Sequence, residues 1–409
     1  MSVLYVILLR LYYILVFVFS AFNTKANLWI VGRKGWLKKM RLEVDSTIPT
    51  AWFHCASLGE FEQGRPIIEG YKQKYPSHKV LITFFSPSGF MVRKNYKGAD
   101  YVYYLPLDTQ RNAKRFLDIV KPVVAVFIKY EFWHNFLKEL KRREVPTYLA
   151  SAIFRKNQIF FRWYGAWNRR MLHCFNHIFL QNAHSQELLK GIGITNTTVA
   201  GDTRFDRVYA TAKLANKISE LDEFCGKSTV IVAGSTWPKD EELLVDFINS
   251  NPHNAKVIIA PHEINGQQIE HLQGILKVKS VRFTNYNSSD FEQAQVLILD
   301  TIGQLASAYS YGMIAYVGGG FGVGIHNTLE PATFGIPIIF GPNYHKFQEA
   351  KDLIKTEAAF TIGSSEELFS ILNSLISNKE YVNKAGENSK RYVEQNIGAT
   401  EKILISIAL

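Results

Sequence analysis

Residues 316–342, YVGGGFGVGIHNTLEPATFGIPIIFGP, read as a strand, a glycine-rich loop, a short helix and a second strand. The first strand ends at Val317, glycines follow at 318, 319, 320, 322 and 324, and the helix begins near Asn327. Glycines let backbone N–H groups approach an anion, and a helix N-terminus adds partial positive charge. That arrangement at the C-terminal end of a strand is where open α/β sheets bind ligands. The spacing does not match G-x-x-x-x-G-K-[ST], which disfavours a P-loop NTPase. Glu330, in the first helical turn, could hold ribose hydroxyls while Asn327 or backbone amides face a phosphate. Equally, Asn327 could cap the helix with Glu330 as its capping-box partner.

Working outward, the same strand–helix alternation fills the chain. In the C-terminal half, STVIVAGS (228–235), AKVIIAP (255–261), AQVLILD (294–300), MIAYVGGG (313–320) and IPIIFG (336–341) read as strands with helices between them. In the N-terminal half, AWFHCA (51–56), KVLITFF (79–85), VVAVFIK (123–129) and PTYLASA (146–152) do the same. Continuous apolar runs of this length are strands buried on both faces, as in parallel sheets. A polar, helix-like connector over roughly 206–227 separates the two sets. The chain of 409 residues therefore reads as two Rossmann-like α/β domains facing a cleft. The aromatic segment 159–180 reads as an amphipathic core helix running into a strand, with an interfacial face as the alternative.

The chain carries 47 basic and 36 acidic residues, a net charge of +11, which suggests an anionic partner. Its three cysteines, Cys55, Cys174 and Cys225, are far apart and form no CxxC, which favours a reducing compartment and excludes a zinc framework. The N-terminal run MSVLYVILLRLYYILVFVFSAF is apolar over 22 residues except for Arg10. Lys25, Arg33, Lys34, Lys38, Lys39 and Arg41 follow it and, by the positive-inside rule, hold the body of the protein on the cytoplasmic side. The run predicts membrane attachment, either spanning the bilayer or embedded in its interface.

In WFHCASLGEFEQGRP (52–66), Ser57-x-x-Glu60 is a formal capping box. Pro66 argues against one unbroken helix capped at Ser57, because it would fall in the third turn. Either the helix kinks there, or it starts near Pro66 and leaves Glu60 in a loop at a strand exit. Other runs occupy equivalent exits: Glu131 after VVAVFIK, AGDTRFD (200–206), APHE (260–263) and LDTIGQL (299–305). No HExxH, GxSxG or DxD-like metal motif accompanies them.

Taken in order, ASLGE, YEFWHN, GDTRFD, STWPKDEE, APHE, DTIGQL and the 316–342 run resemble the 3-deoxy-D-manno-octulosonic acid (Kdo) transferases of lipopolysaccharide synthesis, over nearly the whole chain. The resemblance implies a GT-B glycosyltransferase with an N-terminal membrane-anchoring helix (1–24), an acceptor-binding domain (25–210) and a CMP-Kdo-binding domain (211–409). It implies transfer of Kdo from CMP-Kdo to a lipid A precursor (lipid IVA), without a metal or other cofactor, at the cytoplasmic face of the inner membrane. The anionic membrane surface is the expected further partner, and nucleic acid is not. Glu60 matches the family's general base, while Glu131 and Arg204 match positions assigned to transition-state stabilisation. CMP contacts fall on Pro261 and His262, on Ile302, Gly303 and Gln304, on Gly319 and Gly320, and on Asn327, Thr328, Leu329 and Glu330. His262 stands where arginine is common, Ile302-Gly303-Gln304 where Met-Gly-Glu is common, and Thr328 where proline is common. Arg204 stands where lysine is frequent. A transferase using a UDP- or GDP-sugar, or a binding protein without catalysis, are the alternatives.

Overall fold

In the computed structural model, which describes residues 2–250, 253–286 and 288–407, the chain divides into two units. One comprises Met1–Arg207 with Ile397–Leu409, the other Val208–Asn396. The first holds seven parallel strands: Thr50–Cys55 (β1), Lys79–Phe84 (β2), Tyr101–Tyr104 (β3), Val124–Ile128 (β4), Thr147–Ala152 (β5), His177–Leu180 (β6) and Thr197–Val199 (β7). Their order is β3-β2-β1-β4-β5-β6-β7. The second unit repeats the plan with Val230–Thr236 (β8), Lys256–Pro261 (β9), Ser280–Arg282 (β10), Val296–Ile298 (β11), Ile314–Val317 (β12), Ile338–Phe340 (β13) and Ala359–Thr361 (β14). Its order is β10-β11-β9-β8-β12-β13-β14. Each sheet reverses its strand order once, between β1 and β4 in the first and between β8 and β12 in the second. Loops leaving those strands diverge to opposite faces and open a crevice at the C-terminal edge.

The apolar runs become strands because both faces are covered. Every residue of β1 and β4 is buried. Trp52 of β1 packs against Phe116, Phe127 and Phe136, with ring centroids 4.8–5.6 Å apart, and donates its indole N–H to Thr83 Oγ1 at 2.8 Å.

Between β1 and β2 a single helix, Leu58–Lys74, runs through Pro66. The expectation that the helix starts near Pro66 is therefore corrected. Ser57 is the N-cap, and its capping box with Glu60 is complete. The lost hydrogen bond costs about 3 kcal/mol. Phe61, Ile67, Ile68 and Tyr71, all fully buried, offset it at roughly 1.5–3 kcal/mol each.

Segment 159–180 also departs from expectation. A single 3₁₀ turn, Ile159–Phe161, precedes a short helix, Ala166–Leu172, and β6. The break falls at Gly165, where a Cβ would lie 1.9 Å from the Ile159 carbonyl oxygen.

The last helix, Ala399–Ser406, packs on Leu58–Lys74 rather than in the second unit. Ile403 and Ile407 join the Phe61–Ile68–Tyr71 core, and Asp206 accepts from the Gly398 and Thr400 amides. The N-terminal helix, Ser2–Phe19, lies along the first unit. Tyr5 donates to Asp108 Oδ2 at 2.7 Å, and Tyr12 packs on Trp29 and Phe85. Leu4, Leu8, Leu11, Leu15 and Phe19 remain exposed on its outer side. Among the described residues, no helix is long and apolar enough to cross a membrane.

Within the basic cluster that follows, Arg33 is structural. Its guanidinium is buried, donates to the Leu105, Trp29 and Phe85 carbonyls at 2.7–3.0 Å, and has its pKa pulled down to about 9 by burial.

Candidate active site

Adjacent strands β1 and β4 place two carboxylates at the switch point of the first sheet. Glu60 enters on the first turn of Leu58–Lys74, and Glu131 lies three residues beyond β4. Glu60 Oε2 accepts from the Ser57 amide at 3.0 Å, so cap and site are one arrangement. Burial first, and the Glu131 carboxylate second, push the Glu60 pKa above the usual carboxylate range; His54, the Ser57 amide and Lys129 oppose this. Glu131 is buried, with Oε2 at 2.9 Å from His54 Nε2 and accepting from Trp133 Nε1 at 2.6 Å. His54 is fully buried, and its Nδ1 lies 2.8 Å from Thr83 Oγ1.

Arg204 comes from the first turn of the helix Thr203–Lys213 that follows β7. Its Nε donates to Asp202 Oδ2 at 2.9 Å, and its Nη2 lies 2.8 Å from the same oxygen. Asp202 in turn is 3.4 Å from Gln63 Nε2, and Thr203 Oγ1 donates to the Gln63 carbonyl at 2.6 Å, which ties the start of this helix to Leu58–Lys74. Lys129 holds a left-handed backbone with φ of 69°. Burial and Arg204 lower its pKa, while Glu60 and Asp202 raise it, so it sits among all three. Tyr130 keeps a buried hydroxyl without a partner among the described residues. A group at this edge meets a weakly basic carboxylate, a fixed carboxylate and two cations.

The second unit builds its edge around Asp240. One carboxylate oxygen accepts from the Trp237 and Gly319 amides, both at 2.9 Å, and the other from Tyr316 OH at 2.8 Å. Gly319 has φ of 91°, and a Cβ at Gly320 would lie 2.5 Å from Gly341. The Gly318, Gly322 and Gly324 amides donate to Gly234, Gly319 and Gly319 carbonyls. These amides and that of Gly319 are thus bonded to β8, to Asp240 and within the loop itself. The glycines are needed for close packing.

His262, just beyond β9, stacks on His326 with centroids 4.2 Å apart and on Trp237 at 4.8 Å. Trp237 Nε1 donates to His326 Nε2 at 3.0 Å. Burial and His262 push the His326 pKa down to about 4. Beside them a cavity of about 380 Å³ is lined by Trp237, Pro238, Phe321 and Val323 among others.

Asn327, one residue before the N-cap, bonds both to the helix start and to Glu330. Its Oδ1 accepts from the Leu329 amide at 3.1 Å and its Nδ2 donates to Glu330 Oε1 at 2.9 Å. The short helix Leu329–Thr333 has Thr328 at its N-cap, and the buried Thr328 hydroxyl has no partner among the described residues. Leu329 is fully buried, so only its backbone is available to a ligand. Ile302 is 91% exposed, Gly303 has φ of 105°, and Gln304 accepts from Thr301 Oγ1 at 2.6 Å. Pro261 closes β9.

Residues 31–207 match the family model described as 3-deoxy-D-manno-octulosonic-acid transferase (kdotransferase). A 3-deoxy-D-manno-octulosonic acid transferase of Aquifex aeolicus is 29% identical over 347 residues, covering 83% of this chain and 89% of the relative. One from Haemophilus influenzae is 25% identical over 369 residues, covering 86% and 85%. Residues 31–207 thus carry the Kdo transferase domain, and curated Kdo transferases match the chain over most of its length. Kdo transferases are glycosyltransferases, and the fold agrees. The UDP-GlcNAc 2-epimerase of Neisseria meningitidis superposes with a TM-score of 0.60 at 17% identity, over 87% of this chain and 98% of that one. Acinetobacter baumannii MurG gives 0.57 at 14% identity, over 88% and 99%. These likenesses establish the GT-B type of fold.

Beside this Kdo transferase likeness, the sequence-predicted residues fall into two groups, one at each sheet's C-terminal edge. Glu60, Glu131 and Arg204 lie in the first unit; the expected CMP contacts, from Pro261 to Glu330, lie in the second. Sequence reasoning missed His54, Lys129, Asp240 and His326. His54 and Lys129 lie inside apolar strand runs, where a polar residue among buried neighbours was the available signal. Asp240, within STWPKDEE, looked like an ordinary first-turn helix acid.

Proposed function

We propose that the protein transfers Kdo from CMP-Kdo to the lipid A precursor with inversion at the anomeric carbon. The observation that carries this reading is Glu60, held by the Ser57 amide at the β1–β4 switch point, with a pKa raised by burial and by Glu131. An acceptor hydroxyl is a poor nucleophile at neutral pH, and a positioned carboxylate of raised pKa takes its proton as attack proceeds. As the hydroxyl oxygen bonds to the anomeric carbon, the C–O bond to CMP breaks and the electron pair leaves with the phosphate. Arg204 offsets the Kdo carboxylate or the departing phosphate, and Glu131 stabilises the positive character developing at the sugar ring.

CMP binds through Pro261, His262, the 302–304 loop, the Gly319–Gly320 turn and Asn327–Glu330, with no metal. A leaving monophosphate carries less charge than a diphosphate, so side chains and helix-terminal amides suffice. The exposed apolar face of Ser2–Phe19 supports peripheral attachment to the cytoplasmic face of the inner membrane, where the acceptor lies.

The test is incubation of detergent-solubilised protein with CMP-Kdo and lipid A precursor, with products weighed by mass spectrometry. A mass increase of one or more Kdo residues is expected. An unchanged acceptor, or calorimetric preference for UMP or GMP over CMP, refutes the reading.

A further inference from the structure

Two cavities of the first unit flank the helix His134–Arg142 and share His134 and Lys138 as walls. The first, about 670 Å³, is lined by Lys138, Lys141 and Arg170 together with Tyr164 and Trp167, and no carboxylate lines it. The second, about 720 Å³, adds Arg10 and Lys114. Its single carboxylate, Glu139, is already held by Arg142 at 2.6 Å and Arg143 at 2.8 Å. Positive charge is therefore concentrated on both sides of Lys138.

The surroundings narrow the kind of anion. Ile7 and Val6 of the N-terminal helix line the second cavity beside Arg10, the one charge in that apolar run. Tyr164 is 52% exposed and neighbouring Trp163 90% exposed, so the first cavity opens beside large apolar side chains. Trp167 is held by tilted ring contacts with His134 at 4.7 Å and Tyr5 at 5.5 Å. An anion with an apolar body satisfies both features; a free ion or a nucleic acid satisfies only the charge. The helix bearing Lys138 starts three residues after Glu131.

We propose that these basic cavities seat a phosphate monoester of the lipid acceptor, with Lys138 as the shared cation, Arg170 on one side and Arg10 on the other. This rests on the proposed function and adds the determinant by which a phosphorylated acceptor is chosen. It also accounts for a charge kept within an otherwise apolar helix.

The experiment measures binding of the acceptor to the full chain without donor, using the phosphorylated, acylated disaccharide and its phosphatase-treated form. Wild type is expected to favour the phosphorylated form by about tenfold, the scale of a charge-assisted hydrogen bond. K138A/R170A, with an unchanged melting temperature, is expected to lose that preference, and K138R/R170K to keep it. Retention of the preference in K138A/R170A, or its absence in wild type, overturns the proposal. So does an equal loss of binding to phosphatidylglycerol vesicles, which would assign the cavities to the membrane surface in general, or displacement of the acceptor by equimolar inorganic phosphate. Wild type that shows the preference but transfers no Kdo leaves this site standing and refutes the function alone.

Discussion

His54 Nε2 lies 2.9 Å from Glu131 Oε2, joining the C-terminal end of β1 to the loop beyond β4. His54 is itself held at Nδ1 by Thr83 of β2, so three neighbouring strands fix where the Glu131 charge sits. Glu131 in turn is one of the two main influences on Glu60. The carboxylate pair is thus set by the sheet rather than by a mobile loop.

Glu60→Gln is expected to lower kcat for Kdo transfer by about 10²–10⁴-fold, the usual worth of a general base. Gln keeps an oxygen for the Ser57 amide, so the capping box survives and the melting temperature should hold. Wild-type turnover in this variant would remove Glu60 from the mechanism.

The acid limb of the pH–rate profile should lie above the usual carboxylate range, because Glu60 must be ionised and its pKa is raised. Glu131→Gln removes a like charge and is expected to move that limb to lower pH. His54→Ala removes an opposing influence and is expected to move it to higher pH. A limb unmoved by both substitutions would show that Glu60 does not titrate in it.

Asp240→Ala is expected to destabilise the protein by roughly 3 kcal/mol, since two buried donors and one half-buried donor lose their acceptor at about 1–3 kcal/mol for each buried one. Asn restores at most one side, because its NH₂ cannot accept. Urea unfolding checks the magnitude, and titration with CMP should show weaker binding as the Gly319 turn loosens.

Stability of the second unit should fall on acidification. His326 has a folded pKa near 4 against an ordinary 6.5, so between those values the unfolded chain binds the proton and the folded one does not. Stability is therefore present above pH 6.5, declines as pH falls through that window and levels below about 4. His326→Asn should flatten this part of the curve, as read by melting temperature across pH.

Transfer should persist in excess EDTA. Activity abolished by the chelator and restored by Mg²⁺ would contradict the metal-free mechanism.

Much of this was legible in the sequence, for physical reasons. The central strands β1, β4, β8 and β12 are buried on both faces and appear as unbroken apolar runs. Edge strands such as β7 and β10 have three residues each, are partly exposed, and carry no such run. Glu60 could be singled out at a strand exit. That Pro66 sits inside its helix could not, because the contacts of Phe61, Ile67, Ile68 and Tyr71 that outweigh it are tertiary. The glycines of 318–324 marked a close approach correctly, but the sequence does not say that the approaching group is the protein's own backbone. The His54–Glu131 link joins residues 77 apart, a pairing that only strand order reveals.

The return of Ala399–Ser406 to the first unit has a consequence for biosynthesis. Ile403 and Ile407 fill a core begun by residues made more than three hundred positions earlier, and the whole second unit is translated in between. Domains usually fold as units from the N-terminus during synthesis. Here the first unit emerges early from the ribosome yet waits, with the Phe61–Tyr71 face uncovered, until the last helix has been made.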